Sequence, residues 1–144
     1  MTTARDIMHP GVECVGENQT LTDAARMMRD LDVGAVPVCG EDDRLHGIIT
    51  DRDIVIRCCA EGRDPGQITA GQAVEGQLYS VDAADDADTV VDLMSRHQIR
   101  RVPVLENKRL VGMISEADLA RNLSEDKIAE FVSSVSRPTE APHV

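Results

Sequence analysis

Apolar and polar positions follow two different rhythms along this chain, and the rhythm changes at matching places twice. Leu21, Ala24, Ala25, Met28 and Leu31 recur at helical spacing, with Arg26, Arg29 and Asp30 largely off that face. This predicts an amphipathic helix, and Thr20 with Asp23 three residues on has the form of a capping box at its start. Gly34 ends the helical pattern, and Ala35-Val-Pro-Val-Cys39 is a short apolar run that predicts a strand. After the polar stretch 40–44, Leu45-His-Gly-Ile-Ile49 predicts a second strand and hence a hairpin. A helix is predicted over 51–60, and 12–15 reads as a first strand. The order is strand, helix, strand, strand, helix, and it returns from Tyr79 to Leu123.

In places the repetition is literal. Gly34-Ala-Val-Pro-Val38 is answered by Arg100-Arg-Val-Pro-Val104, and Gly47-Ile-Ile-Thr-Asp-Arg-Asp53 by Gly112-Met-Ile-Ser-Glu-Ala-Asp118. Pro37 and Pro103 set a period of about 66 residues, too long for a solenoid unit and right for two small fused subdomains. Upstream, Thr3-Ala4 matches Thr69-Ala70, Val15 matches Val81, and Leu21, Ala24, Ala25 and Met28 match Ala87, Val90, Val91 and Met94. The expected division is a first repeat over 1–66, ending in the turn-rich connector 61–66, and a second over 67–124. A further helix is expected over 125–136, where Ile128, Phe131, Val132 and Val135 recur at helical spacing and are expected to complete the core. A flexible tail over 137–144, with Pro138 and Pro142, ends the chain.

Composition narrows the function classes. The 144 residues are one domain's worth of sequence. Each half alone is marginal, so the halves are expected to fold against each other. A net charge of −11 argues against a nucleic-acid backbone or an anionic membrane as partner. Tyr79 and Phe131 are the only aromatics, too few for base stacking. No stretch is apolar for long enough to span a bilayer, and the N-terminus lacks the features of a signal peptide, so a cytoplasmic protein is expected. Catalytic patterns are missing: there is no G-x-S-x-G, no P-loop, no dinucleotide fingerprint and no recognisable Ser/His/Asp set. His9, His46, His97 and His143 show no zinc-ligand spacing, and no metal is assigned.

Taken together, the two Val-Pro-Val strands, Arg5-Asp-Ile-Met8 and the paired Gly-x-x-Thr/Ser-x-x-Asp motifs resemble the tandem CBS (cystathionine-β-synthase) domain, or Bateman module. One such motif is weak evidence; two in register, each behind an x-Pro-Val strand and each opening a helix, are strong. Within the family the chain is similar to small stand-alone CBS-pair proteins of actinobacteria, on Thr2-Thr-Ala-Arg-Asp-Ile-Met8, Asp43-Arg-Leu-His-Gly47 and Thr50-Asp-Arg-Asp-Ile-Val55. The resemblance implies an α+β fold of two β-α-β-β-α repeats packed as a pseudo-two-fold pair. It also implies an adenosine-containing ligand such as AMP, ATP or S-adenosylmethionine, with no obligatory cofactor, bound in clefts between the repeats.

The motif chemistry fits such a ligand. Thr50 and Ser115 stand where a strand passes into a helix, where a hydroxyl and free backbone N–H groups suit a phosphate. Asp53 and Asp118 follow three residues on, where a carboxylate can accept from ribose hydroxyls. Arg100 and Arg101 are placed like the phosphate-contacting basic residues of the family, and the arginine-bearing surroundings are the favoured ones. Thr50-x-x-Asp53 and Ser115-x-x-Asp118 are equally variants of the capping box, which would persist in a chain that bound nothing. In the CBS topology the first two strands share a sheet, so Cys14 and Cys39 could approach as a disulfide; Cys58 and Cys59 lie on a helix.

Two readings follow from the resemblance. The first is a non-catalytic regulatory homodimer that binds an adenosine nucleotide and signals through an unknown protein partner. The alternative is a nucleotide-independent stress-response interaction protein, redox-responsive through Cys14 and Cys39. Neither involves nucleic acid or a membrane.

Overall fold

The computed structural model describes residues 2–74 and 78–135. The chain runs through helix α1 (Ala4–Ile7), strands β1 (His9–Pro10) and β2 (Val15–Gly16), helix α2 (Leu21–Leu31), the hairpin β3 (Ala35–Cys39) and β4 (Leu45–Thr50), and helix α3 (Asp51–Ile54). A π-helical turn, Val55–Cys59, continues α3, and a 3-10 turn, Pro65–Gln67, leads to α4 (Ala70–Ala73). Then follow β5 (Val81–Asp82), α5 (Ala87–Arg96), β6 (Arg101–Glu106), β7 (Arg109–Ser115), α6 (Glu116–Asn122) and α7 (Glu125–Val135). The expected strand, helix, strand, strand, helix order is present twice in an α+β architecture. The tail assigned to 137–144 lies outside the described residues.

One local device starts most of the helices. A hydroxyl residue caps the helix, and an acidic or amide side chain three residues on reaches back to the cap's N–H. It occurs at Thr20/Asp23, Thr50/Asp53, Thr69/Gln72 and Ser115/Asp118, opening α2, α3, α4 and α6. These reciprocal bonds satisfy backbone donors that a helix start leaves unpaired. At α1, Thr3 N–H and its hydroxyl both donate to Asp6, which holds the Asp6 carboxyl below the usual range.

Contacts group the chain into two compact units. One holds Met1–Gly11, Ser80–Glu106 and Val111–Val144; the other holds Val12–Tyr79 and Asn107–Leu110. These units do not follow the linear halves 1–66 and 67–124, because each repeat's opening segment joins the unit built on the other repeat's hairpin. Ala4 N–H donates to Asp85 O (2.7 Å), Arg5 N–H to Ala83 O (3.1 Å) and Ala87 N–H to Thr2 O (2.9 Å). In the other unit Ala70 N–H donates to Gln19 O (2.7 Å), Gly71 N–H to Glu17 O (2.9 Å) and Leu21 N–H to Ile68 O (2.9 Å). The two sets correspond residue for residue at the repeat spacing, and both serve backbone groups that need partners once buried.

Each unit has its own sheet and core. In one, β2, β3 and β4 form a three-stranded sheet in that order, with β2 parallel to β3. Leu21, Ala24 and Met28 of α2 pack with Val36, Val38 and Ile49, while Ala25 and Leu31, assigned to the same face, are exposed. In the other, the order is β1-β7-β6-β5, and Val90 and Met94 pack with Val102, Val104 and Ile114. Phe131 and Val135 of α7 complete that core, as their spacing predicts, although Val132 is exposed.

Two expectations change in detail. The first strand, expected over 12–15, is only Val15–Gly16, so Cys14 precedes it. Val15 pairs with Val38, and extending that register upstream would set Cys14 against Pro37, which has no N–H to give. β5 is cut short alike: Val81 pairs with Val104, and Pro103 lies next. The helix expected over 51–60 also loses α-helical pairing after Ile54, where Ala60 N–H reaches back five residues to Val55 O (2.8 Å).

The motif glycines are explained by the exchanged segments. β1 pairs antiparallel with β7, setting Pro10 opposite Gly112. A methyl group at Gly112 would stand 2.5 Å from Met8 Sδ and 2.9 Å from His9 O, and at Gly47 it would stand 2.2 Å from Val74 Cγ1. Gly112→Ala is therefore expected to cost about 1–3 kcal/mol through overpacking against backbone. Gly47→Ala meets the short side chain of Val74 rather than backbone, and should destabilise too. Urea unfolding of both variants checks this; a Gly112→Ala midpoint equal to wild type would sink the close-approach account.

Candidate functional site

The candidate residues gather at the two strand-to-helix junctions, β4 into α3 and β7 into α6. In the first, Thr50 ends the strand in extended conformation and caps the helix. Its N–H donates to Asp53 Oδ2 (2.9 Å), and its hydroxyl accepts from Asp53 N–H (3.0 Å). Asp51 N–H donates to Gly34 O (2.9 Å) and Arg52 N–H to Asp51 Oδ1 (2.8 Å). The N–H groups that the sequence offered to a phosphate are thus engaged by protein acceptors. The Asp53 carboxylate keeps an opening: among the described residues, nothing is hydrogen-bonded to its Oδ1.

The second junction repeats this frame and then departs from it. Ser115 N–H donates to Asp118 Oδ2 (2.9 Å), as does the Ser115 hydroxyl (2.9 Å), which also accepts from Asp118 N–H (3.3 Å). Arg121, one turn further along α6, donates to Asp118 Oδ1. Both carboxylate oxygens are therefore occupied, and Asp118 is only 6% exposed. Asn122 adds a bond from its side-chain amide to Asp118 O (2.7 Å). Glu116 N–H donates to Arg100 O (3.1 Å), and the Arg100 guanidinium stands 3.8 Å from the Glu116 carboxylate. Arg100 is exposed, while Arg101 is half-buried at the start of β6.

A cavity of about 40 Å³ opens in the unit containing the first junction, lined by Leu21, Ile49, Asp53, Arg57, Arg63 and Gln72 among others. It has room for roughly two or three waters. Arg57, Arg63 and Gln72 were not among the residues singled out in the sequence. Arg57 carried a readable signal four residues after Asp53 on a predicted helix; Gln72 is legible only as the capping partner of Thr69, and Arg63 carried none. Arg121 was legible in the same way, three residues after Asp118.

The cysteines separate by position. Cys14 and Cys39 lie side by side with Cα atoms 5.8 Å apart, within the range that a disulfide spans. Cys39 ends β3 at a register shift opposite Leu45, next to His46, whose Nδ1 stands 3.2 Å from Glu17 Oε2. Cys58 is buried and its thiol, pushed up by burial, donates to Arg63 O (3.4 Å); Cys59 is exposed. His97 is the half-buried C-cap of α5.

Comparison with known proteins identifies this architecture. The CBS domain pattern matches residues 4–58 and 73–125. The chain is 54% identical over 138 residues to hypoxic response protein 1 of Mycobacterium tuberculosis, covering 96% of both chains. It is 36% identical to the CBS domain-containing protein YhcV of Bacillus subtilis, covering 94% of this chain and 96% of that one. A crystal structure of hypoxic response protein I with two coordinated zinc ions superposes with a TM-score of 0.79 at 55% identity, over 85% of this chain and 100% of that chain. Both halves of the sequence are matched, and this chain belongs to the CBS domain family as a tandem pair.

Proposed function

We propose that this chain is a non-catalytic regulatory CBS pair that binds an adenosine-containing nucleotide and passes the signal to a protein partner. The observation that carries this reading is the Asp53 carboxylate. One oxygen closes the helix cap, the other takes no hydrogen bond from the described residues, and Asp53 lines a cavity together with two arginines. An open carboxylate oxygen accepts ribose hydroxyls, and Arg63 supplies charge for phosphate oxygens. The cavity is too small to enclose a nucleoside, so the ligand lies across its mouth and offers it one edge. AMP, ATP and S-adenosylmethionine are the ligand classes to test.

The signal would travel by population shift, the ligand favouring the arrangement it binds best. A homodimer is the expected assembly, and Val55, 54% exposed beside the first junction, suits a subunit contact. The cytoplasm is its expected place; among the described residues, no helix is long and apolar enough to cross a membrane.

Calorimetric titration of the reduced chain with AMP, ATP and S-adenosylmethionine tests the reading. Saturable binding to one of them is expected, weakened about ten-fold or more in Asp53→Ala through loss of charged hydrogen bonds. No heat from any of the three at millimolar concentration would remove nucleotide sensing.

A second reading, a redox-responsive stress protein, is favoured by the approach of Cys14 to Cys39. A bridge between them spans 25 residues of chain and would stabilise the fold by about 3 kcal/mol through loop closure. Oxidised protein should then melt above reduced protein, with the difference abolished in Cys14→Ser. Thermal melts with and without dithiothreitol decide this, and identical curves for the wild type would exclude the redox reading. Cys58, buried with a raised thiol pKa, should take no part in exchange.

A further inference from the structure

The internal repeat allows each junction to serve as a control for the other, and one difference between them bears on the acid: the residue three positions after it. α6 is regular, so Arg121, three residues after Asp118, comes over the carboxylate and donates to the oxygen that Asp53 leaves open. The counterpart of Arg121 in the first repeat is Ile56, which has no donor and is 48% exposed on the π-helical turn. A second difference points the same way. Asp53 borders a cavity with Arg57 and Arg63, whereas Asp118 is buried, with its oxygens shared among the Ser115 N–H, the Ser115 hydroxyl and Arg121.

Building on the nucleotide reading above, we propose that the two repeats are unequal in function. Asp53 receives the ribose of an anionic nucleotide, and the Arg121–Asp118 pair disfavours it at the second repeat. The second motif is then a helix cap reinforced by an ion pair, and Arg121 sets how much more weakly the second repeat takes a ligand. The pair acts as a graded latch. Arg121 is 67% exposed, so a ligand competes with a water-screened contact, and the latch weakens the second site by about five-fold. This assignment departs from the sequence-based preference for the arginine-bearing surroundings of Arg100 and Arg101. Arg100 already faces the Glu116 carboxylate, and no such acidic group opposes Arg63 among the described residues.

The test is calorimetric titration of AMP and ATP into wild type, Asp53→Asn, Arg121→Ile and Ile56→Arg. One tight ligand per chain and a second bound about five-fold more weakly are expected for wild type, the tight one lost in Asp53→Asn. Arg121→Ile should tighten the weaker site by about five-fold, and Ile56→Arg should weaken the first site by a similar factor. Two equal sites in wild type, or no change in stoichiometry or affinity on Arg121→Ile, would overturn the proposal. A cycle of Asp118→Asn and Arg121→Ile in urea supplies a readout without ligand. The latch predicts that the double variant unfolds at no lower urea than the weaker single variant, and strictly additive midpoint shifts would overturn it. If wild type binds neither AMP nor ATP, the nucleotide reading fails and the ligand half of this proposal with it; the cycle still decides whether the latch exists.

Discussion

The close passage of each opening segment over a motif glycine is the constraint on which the rest of the fold depends. Met8 and His9 lie against Gly112, and Val74 lies against Gly47, at separations that leave no space for a Cβ. The same segments supply α1 and α4, whose first N–H groups bond to carbonyls just before α5 and α2. The glycine that begins each Gly-x-x-Thr/Ser-x-x-Asp motif is therefore a packing requirement, set by a segment arriving from a distant part of the chain. Only after this requirement is met does the strand run on to present Thr50 or Ser115 at a helix start.

A second constraint operates within the motif. The carboxylate that would bind ribose is the one that closes the helix cap. At Asp53 these roles divide between two oxygens, one turned to Thr50 N–H and one left open. At Asp118 three donors take both oxygens, and burial makes any loss of a partner costly. A sequence motif can thus be identical in spacing and differ in what it leaves available. Its hydroxyl and acid are needed for folding in either case, so their presence does not by itself report ligand binding.

Membership of the CBS family and the acidic surface fit a regulatory chain better than one that handles polyanions over a broad face. The positive charge that borders the cavity at the first junction comes from Arg57 and Arg63, beside apolar Leu21 and Ile49. That combination suits a small ligand with one polar edge and one apolar face.

Much of the architecture was legible in the chain because it depends on local rules. Helical spacing located α2, α5 and α7; the capping residues Thr20, Thr50 and Ser115 located helix starts; and the Val-Pro-Val runs located β3 and β6. The proximity of Cys14 and Cys39 followed from topology once the family was recognised. Other features depend on which distant segments meet, and periodicity is silent about that. The exchange of opening segments, the truncation of β2 and β5 at Pro37 and Pro103, and the π-helical turn after Ile54 belong to this group. The sequence by itself determined two repeats, their elements and the paired Thr/Ser and Asp positions, because hydrophobic period and capping act within a few residues. Tertiary structure alone decided that Asp53 stands open beside Arg57 and Arg63 while Asp118 is closed by Arg121, because a carboxylate's availability depends on every donor brought within hydrogen-bond reach.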